Sequence, residues 1–96
     1  MNQPRVDVRR NPDRARFESE VDGGTAVMTY REQDGVLELL HTEVPQLSRR
    51  RGIASAIARH ALDYARERGF MVKPICPFVV RYIERNPEYA DLVPAS

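Results

Sequence analysis

Two groups of residues have types and spacings that could do chemistry. In "RRRGIA", Arg49 to Ala54, three guanidinium groups stand against a glycine where a helix begins. A helix start presents unpaired backbone N–H groups and the positive end of the helix dipole, and a glycine removes the β-carbon that would keep an anion away. A phosphate is the expected ligand, gripped by the N–H groups around Gly52 and supported by charge-assisted bonds from Arg49, Arg50 and Arg51. The second group could move protons or form a covalent bond. His41 and Glu43 share one face of a strand, and imidazole exchanges protons under physiological conditions. Cys76 stands just before Pro77, at the N-cap of a helix whose dipole favours thiolate. Tyr82, six residues further on, adds a phenol.

Each residue also has a plain reading. Three consecutive arginines are often a solvated loop. A histidine on an apolar strand is often structural, a free cysteine commonly serves as a small buried hydrophobe, and a tyrosine can belong to the core with its hydroxyl satisfied. A nucleic-acid patch is disfavoured, because 15 Lys and Arg against 14 Asp and Glu leave a net charge of only +1 and no aromatics interleave with the basic residues. His60 lies at the edge of a helical apolar arc with no second ligand at metal spacing, so no metal site is expected.

The elements that must position these groups follow from periodicity. "VDVRR" reads as a first strand, and Arg14 to Val21 alternates Ala15, Phe17, Ser19 and Val21 against four charged residues, a half-buried strand. "DGG", Asp22 to Gly24, supplies a tight turn into the strand "TAVMTYRE", and "QDG" turns into "VLELLHTEV", Val36 to Val44. Regular alternation there puts Leu37, Leu39 and His41 on one face and Val36, Leu40 and Val44 on the other, so this central strand is expected to be covered on both sides. After Pro45 the period turns helical, with Ala54, Ile57, Ala58, Ala61, Leu62 and Ala65 on one arc and Gly69 as its stop. A strand, Phe70 to Ile75, and a shorter helix between Pro77 and Pro87 complete the order. Strand, helix, strand favours a crossover with its two strands parallel, so the fold class is α+β: an antiparallel meander followed by helix, strand and helix.

With 96 residues the chain is expected to form one domain, 1–96. Apolar residues at 42% and charged residues at 30% are ordinary for a globular protein, and no segment has the length of apolar sequence that spans a bilayer. The N-terminal sequence has no apolar signal segment and the single cysteine cannot form an internal disulfide, so a reducing cytoplasm is the expected location.

"VPQLSRRRGIASAI" resembles motif A of the GNAT superfamily of acetyl-CoA-dependent N-acetyltransferases, in which Arg or Gln is followed after two residues by Gly and then, after one more, by Gly or Ala. The flanking strand and helix, the strand "MVKPI" and the helix with "RYIERNPEY" extend the likeness from Val6 to Val93, and the whole is similar to a subfamily of small single-domain GNAT-like proteins. The resemblance implies that Val36–Val44 and Met71–Ile75 are parallel and splayed, with the pantetheine arm of acetyl-CoA in the gap. It also implies that amides from about Leu47 to Ala54, Ile53 included, hold the pyrophosphate, with the backbone from His41 to Val44, Glu43 included, pairing to the acetyl and pantetheine amides. Asn86, Glu88 and Tyr89 are expected either to help wrap the coenzyme or to close the fold. His41 and Cys76 would be base and acetyl carrier or thioester wall, and Tyr82 would protonate the leaving thiolate, although Asn86-Pro87 departs from the superfamily's usual ending there. The implied function is acetyl transfer to an amine. The alternative is a coenzyme-binding or interaction module without efficient catalysis. Because the superfamily's additional acceptor-site elements are not evident, a shallow or open acceptor pocket, or one completed by another molecule, is expected.

Overall fold

A computed structural model describes residues 6–94. Five strands lie in one sheet in chain order: β1 (Arg9–Asn11), β2 (Arg16–Val21), β3 (Gly24–Gln33), β4 (Val36–Glu43) and β5 (Met71–Pro74). The first three pairings are antiparallel and β4–β5 is parallel, joined through helix α1 (Ile53–Arg68). Helix α2 (Pro77–Arg85) follows β5, and short 3-10 segments occupy Gln46–Ser48 and Pro87–Leu92. The α+β order expected from periodicity is the one observed, with the N-terminal strand displaced to Arg9–Asn11 and β2 beginning at Arg16, because Asn11 to Ala15 forms a turn closed by the Arg14 and Ala15 N–H groups.

Alanine governs how α1 meets the sheet. Ala58, Ala61 and Ala65 are fully buried alongside Ile57 and Leu62, and small side chains let the helix lie close over Phe17, Met28, Leu37 and Leu39. Each large side chain sealed there stabilises the fold by about 1.5–3 kcal/mol relative to exposure. The helix stops at Gly69, whose φ of 72° allows its N–H to reach Arg66 O while Phe70 N–H reaches Ala65 O. This is a Schellman closure, and a β-carbon at that backbone angle would strain it.

Among the described residues only one face of the sheet is covered by helices, which corrects the expectation for β4. Leu37 and Leu39 are fully buried, whereas Val36, Glu38 and Leu40 on or toward the opposite side are only partly so. That second face carries ion pairs: Arg31 Nε donates to Glu38 at 2.8 Å, and the Glu18 carboxylate, 4% exposed, accepts from Arg16, Arg9 and Asn11. Hydrogen bonding by Arg16, then Asn11 and Arg9, holds the Glu18 carboxyl below its ordinary range despite its burial.

A second correction concerns register. Thr29 pairs with His41 but its neighbour Tyr30 pairs with Leu39, so Leu40 is an extra residue, a β-bulge. Beyond a bulge the side-chain alternation inverts. Thr42 pairs with the fully buried Met28 and turns toward the helices, and His41 leaves the face of Leu37 and Leu39 for the open one.

Candidate functional site

The bulge lies where β4 and β5 part. Their pairing runs from Val36↔Met71 to Leu39↔Pro74, and the Leu39 carbonyl then accepts from both Ile75 N–H (3.0 Å) and Cys76 N–H (2.9 Å). Past this point β5 ends and the chain enters α2, while β4 continues to Glu43 paired, among the described residues, only with β3. The β5-facing edge of β4 from Leu40 onward is thereby left open for an extended, amide-bearing ligand to pair with.

A cleft of about 780 Å³ occupies this opening, lined by His41 to Gln46 along the end of β4, Gly23 to Thr25 of the β2–β3 turn, Arg49, Ala54 and Phe78. It adjoins a smaller hollow of about 250 Å³ that shares Val44, Arg49, Ala54 and Phe78 and adds Ser48, Arg50, Gly52, Ile53 and Ser55. The two together run from the end of β4 across the start of α1.

That helix start is rich in unused donors. Ser48 and Arg49 N–H close the 3-10 turn onto Pro45 and Gln46 carbonyls, and the helix's own bonding begins with Ala56 N–H to Gly52 O at 3.0 Å. Among the described residues, the six consecutive N–H groups from Arg50 to Ser55 have no hydrogen-bond acceptor. Two left-handed residues, Arg50 (φ 66°) and Gly52 (φ 77°), bend the chain so that this run wraps the helix terminus, the backbone pattern of an anion nest. The unbroken run of free donors begins at Arg50; within the stretch from Leu47 that the resemblance implied, the Ser48 and Arg49 N–H groups are already used.

The three arginines divide the work. Arg49 Nε reaches the Val44 carbonyl at 3.3 Å and Arg51 pairs with Asp22 at 3.0 Å, whereas the Arg50 guanidinium has no ion-pair or hydrogen-bond partner among the described residues. Arg50 borders the smaller hollow with its charge uncommitted.

A sequence model described as GCN5-related N-acetyl-transferase matches residues 16–92. The chain belongs to that family. Protein NATD1 of chicken and of mouse is each 34% identical over 86 residues, covering 85% of this chain and 77% of the relative, and zebrafish Protein NATD1 is 31% identical over 87 residues, covering 86% and 78%. The solution structure of a GCN5-like protein from Staphylococcus aureus superposes with a TM-score of 0.69, covering all of this chain and 93% of that one; at 19% identity it speaks for the fold.

Within this GCN5-related domain, His41, Glu43, Val44, Arg49 and Ala54 meet in the main cleft, and Arg50, Gly52 and Ile53 border the adjoining hollow. His41 Nε2 lies 3.1 Å from Glu43 Oε2, with the two side chains 63% and 70% exposed, so the pair stands at the rim. Cys76 occupies the N-cap of α2 but is 5% exposed, its Sγ 3.4 Å from Thr42 Oγ1. Thr42, not Cys76, lines the cleft.

Tyr82 and Asn86 border neither hollow. Tyr82 packs against Tyr89 at a ring separation of 6.2 Å, and burial pushes its phenol up. Asn86 ends α2, its backbone and side-chain N–H groups both donating to Tyr82 O. Arg51, bound to the β2–β3 turn, is absent from both linings as well.

Sequence reasoning missed Thr42, Phe78 and Gly23 to Thr25. The last three are brought to the cleft by the packing of a distant turn, and nothing local signals that. Thr42 had a signal: the doublet Leu39-Leu40 interrupts an alternating strand, which is how a bulge shows in sequence. No cluster of three or more potential metal ligands is found among the described residues, and no described helix is long and apolar enough to cross a membrane.

Proposed function

We propose that this domain binds acetyl-CoA along the β4–α1 cleft and transfers the acetyl group to an amine. One observation carries the reading: six unpartnered N–H groups at the start of α1 lie beside the open edge of β4, so a phosphate-binding nest continues into a slot suited to an amide-bearing arm. The donor set fits a pyrophosphate, and the uncommitted Arg50 can add a charge-assisted bond to a phosphate oxygen. Acetyl-CoA supplies an acyl group activated as a thioester.

The side chains at the cleft divide the remaining roles. His41 accepts the proton of the acceptor ammonium, and Glu43 orients the imidazole and balances its charge. Backbone N–H groups on the free edge of β4 meet the negative charge that develops on the carbonyl oxygen. Thr42 forms the wall where the arm ends, which keeps the Cys76 thiol behind it and favours direct attack by the amine over an acetylated cysteine. Phe78 closes the opposite side with an apolar surface.

A second reading, coenzyme binding without efficient transfer, is favoured by the exposure of His41 and Glu43, since water competes for an unenclosed base. Labelled acetyl-CoA incubated with a panel of primary amines separates the two. Turnover that disappears in His41→Ala supports transfer; micromolar coenzyme binding with no acetylated amine supports the second reading; no binding at millimolar coenzyme removes both.

A further inference from the structure

We infer that Ser48 is a positioning residue, which holds the anion-binding loop in its bent form by tying it to the turn between β2 and β3. The inference deepens the coenzyme reading and rests on it for its functional consequence. From Arg50 to Gly52 the loop makes no backbone hydrogen bond through its N–H groups among the described residues, and two of these three residues hold left-handed angles, one of them an arginine. A segment with so few internal bonds does not keep such a shape unaided. What fixes it must come from outside.

The outside contact is at Asp22 and Gly23. Ser48, 1% exposed, donates its hydroxyl to the Asp22 carbonyl at 2.7 Å across 26 residues of sequence. Gly23, at a φ of 91°, lies so close under the loop that a β-carbon built on it would come to 3.3 Å from the Cβ atoms of both Pro45 and Leu47. Arg51 also reaches Asp22, through the carboxylate, but that pair is exposed on both sides and water screens it. The hydroxyl-to-carbonyl bond is the stronger constraint, because its donor is buried and water competes for it less than for the exposed ion pair. The run of free donors begins two residues after Ser48, so this bond sets where those donors point.

Threonine and valine at position 48 test this, being equal in size and differing in the hydroxyl. A hollow of about 210 Å³ is bordered by Ser48 and Asp22. Ser48→Ala removes the hydroxyl without adding volume and serves if the valine variant fails to fold. Two quantities are read: amide order parameters of Arg50 to Ser55 in the free protein, and the dissociation constant for coenzyme A. Expected for Ser48→Thr is wild-type order and affinity within about twofold, and for Ser48→Val and Ser48→Ala a fall of the loop order parameters from about 0.85 toward 0.6 with affinity weakened about tenfold. Asp22→Ala, which keeps the carbonyl and loses the carboxylate, should stay within about threefold of wild type. Equal loop order in the threonine, valine and alanine variants overturns the inference, and so does a loosening in Asp22→Ala as large as that in Ser48→Val. If wild type binds no coenzyme A while loop order still divides threonine from valine, the coenzyme reading fails and the positioning role of Ser48 stands.

Discussion

Thr42 Oγ1 lies 3.4 Å from Cys76 Sγ, at the point where β4 and β5 part. The contact exists because Leu40 bulges out of β4 and turns Thr42 toward the helices, so the threonine forms the cleft wall and the thiol stays behind it. A thiol 5% exposed is poorly placed to carry an acyl group between two substrates. Cys76→Ala should therefore keep acetyl transfer within about threefold of wild type, and intact-protein mass spectrometry after brief exposure to acetyl-CoA should find no acetyl on Cys76. A stable acetyl-cysteine whose loss in the variant abolishes turnover would falsify direct attack.

His41 and Glu43 are expected to act on the rate and not on coenzyme affinity, since they stand at the rim, away from the nest. Removing a general base costs about 10²- to 10⁴-fold in rate, so His41→Ala should lower kcat by that range with the coenzyme dissociation constant within twofold. Glu43→Gln should cost less, about tenfold, because the carboxylate works through the imidazole 3.1 Å away and solvent partly replaces it. An equal fall in coenzyme affinity in both variants would place the pair in the binding site instead.

How far the sequence could be read depended on whether the cause was local. The turn from Arg49 to Ala54 was legible because a glycine, a charge cluster and the onset of helical period coincide within six residues, and the alanine arc of α1 and its Gly69 stop were legible for the same reason. The side chain of His41 was misplaced, since counting in twos along "LELLHTE" ignores the residue that the Leu39-Leu40 doublet inserts. Glu18 alternates as a surface acid would, and its burial comes from Arg16 two residues on one side together with Arg9 and Asn11 from the neighbouring strand. Neither the contact of Gly23 with Pro45 and Leu47 nor the wall made by Phe78 has a local cause; both arise when elements far apart in sequence pack.

Gly52 and Arg50 should separate backbone shape from side-chain charge. Arg50 has no partner among the described residues, so Arg50→Ala should leave Tm within a degree or so while weakening coenzyme binding about tenfold and flattening its dependence on salt. Gly52→Ala should behave differently. A β-carbon there would meet no atom within 4 Å, so the cost is the left-handed angle itself, about 1–2 kcal/mol, and Tm should fall by roughly 5–10 °C. Gly52→Val adds a branched side chain at the mouth of the nest and should weaken coenzyme binding more than any single arginine-to-alanine change, measured by calorimetric titration. A glycine variant with unaltered Tm and affinity would mean that the loop does not use the observed backbone form.

Tyr89 fastens the closing 3-10 segment to α1, its hydroxyl donating to Asp63 at 2.7 Å while Arg66 holds Asp91 beside it. Burial, and then the bond to Asp63, push the Tyr89 phenol up to about 12 from an ordinary 10. A phenol raised on folding contributes stability that is complete below its unfolded value and is lost as pH rises through its folded one, so the window lies between about 10 and 12. Tyr89→Phe lacks this group and should be less stable than wild type by about 1 kcal/mol at pH 7, near the low end for a lost hydrogen bond because water can reach the half-exposed Asp63. Denaturant unfolding at stepped pH checks it: the advantage of wild type should hold up to about pH 10 and narrow as pH climbs toward 12. Tyr89 meets α2 at Tyr82, one turn beyond Phe78, and neither tyrosine lines the cleft or the hollow beside it, so coenzyme affinity at pH 7 should be the same in both proteins. A constant gap across that alkaline range would show that the hydroxyl is not held in its neutral form by the fold.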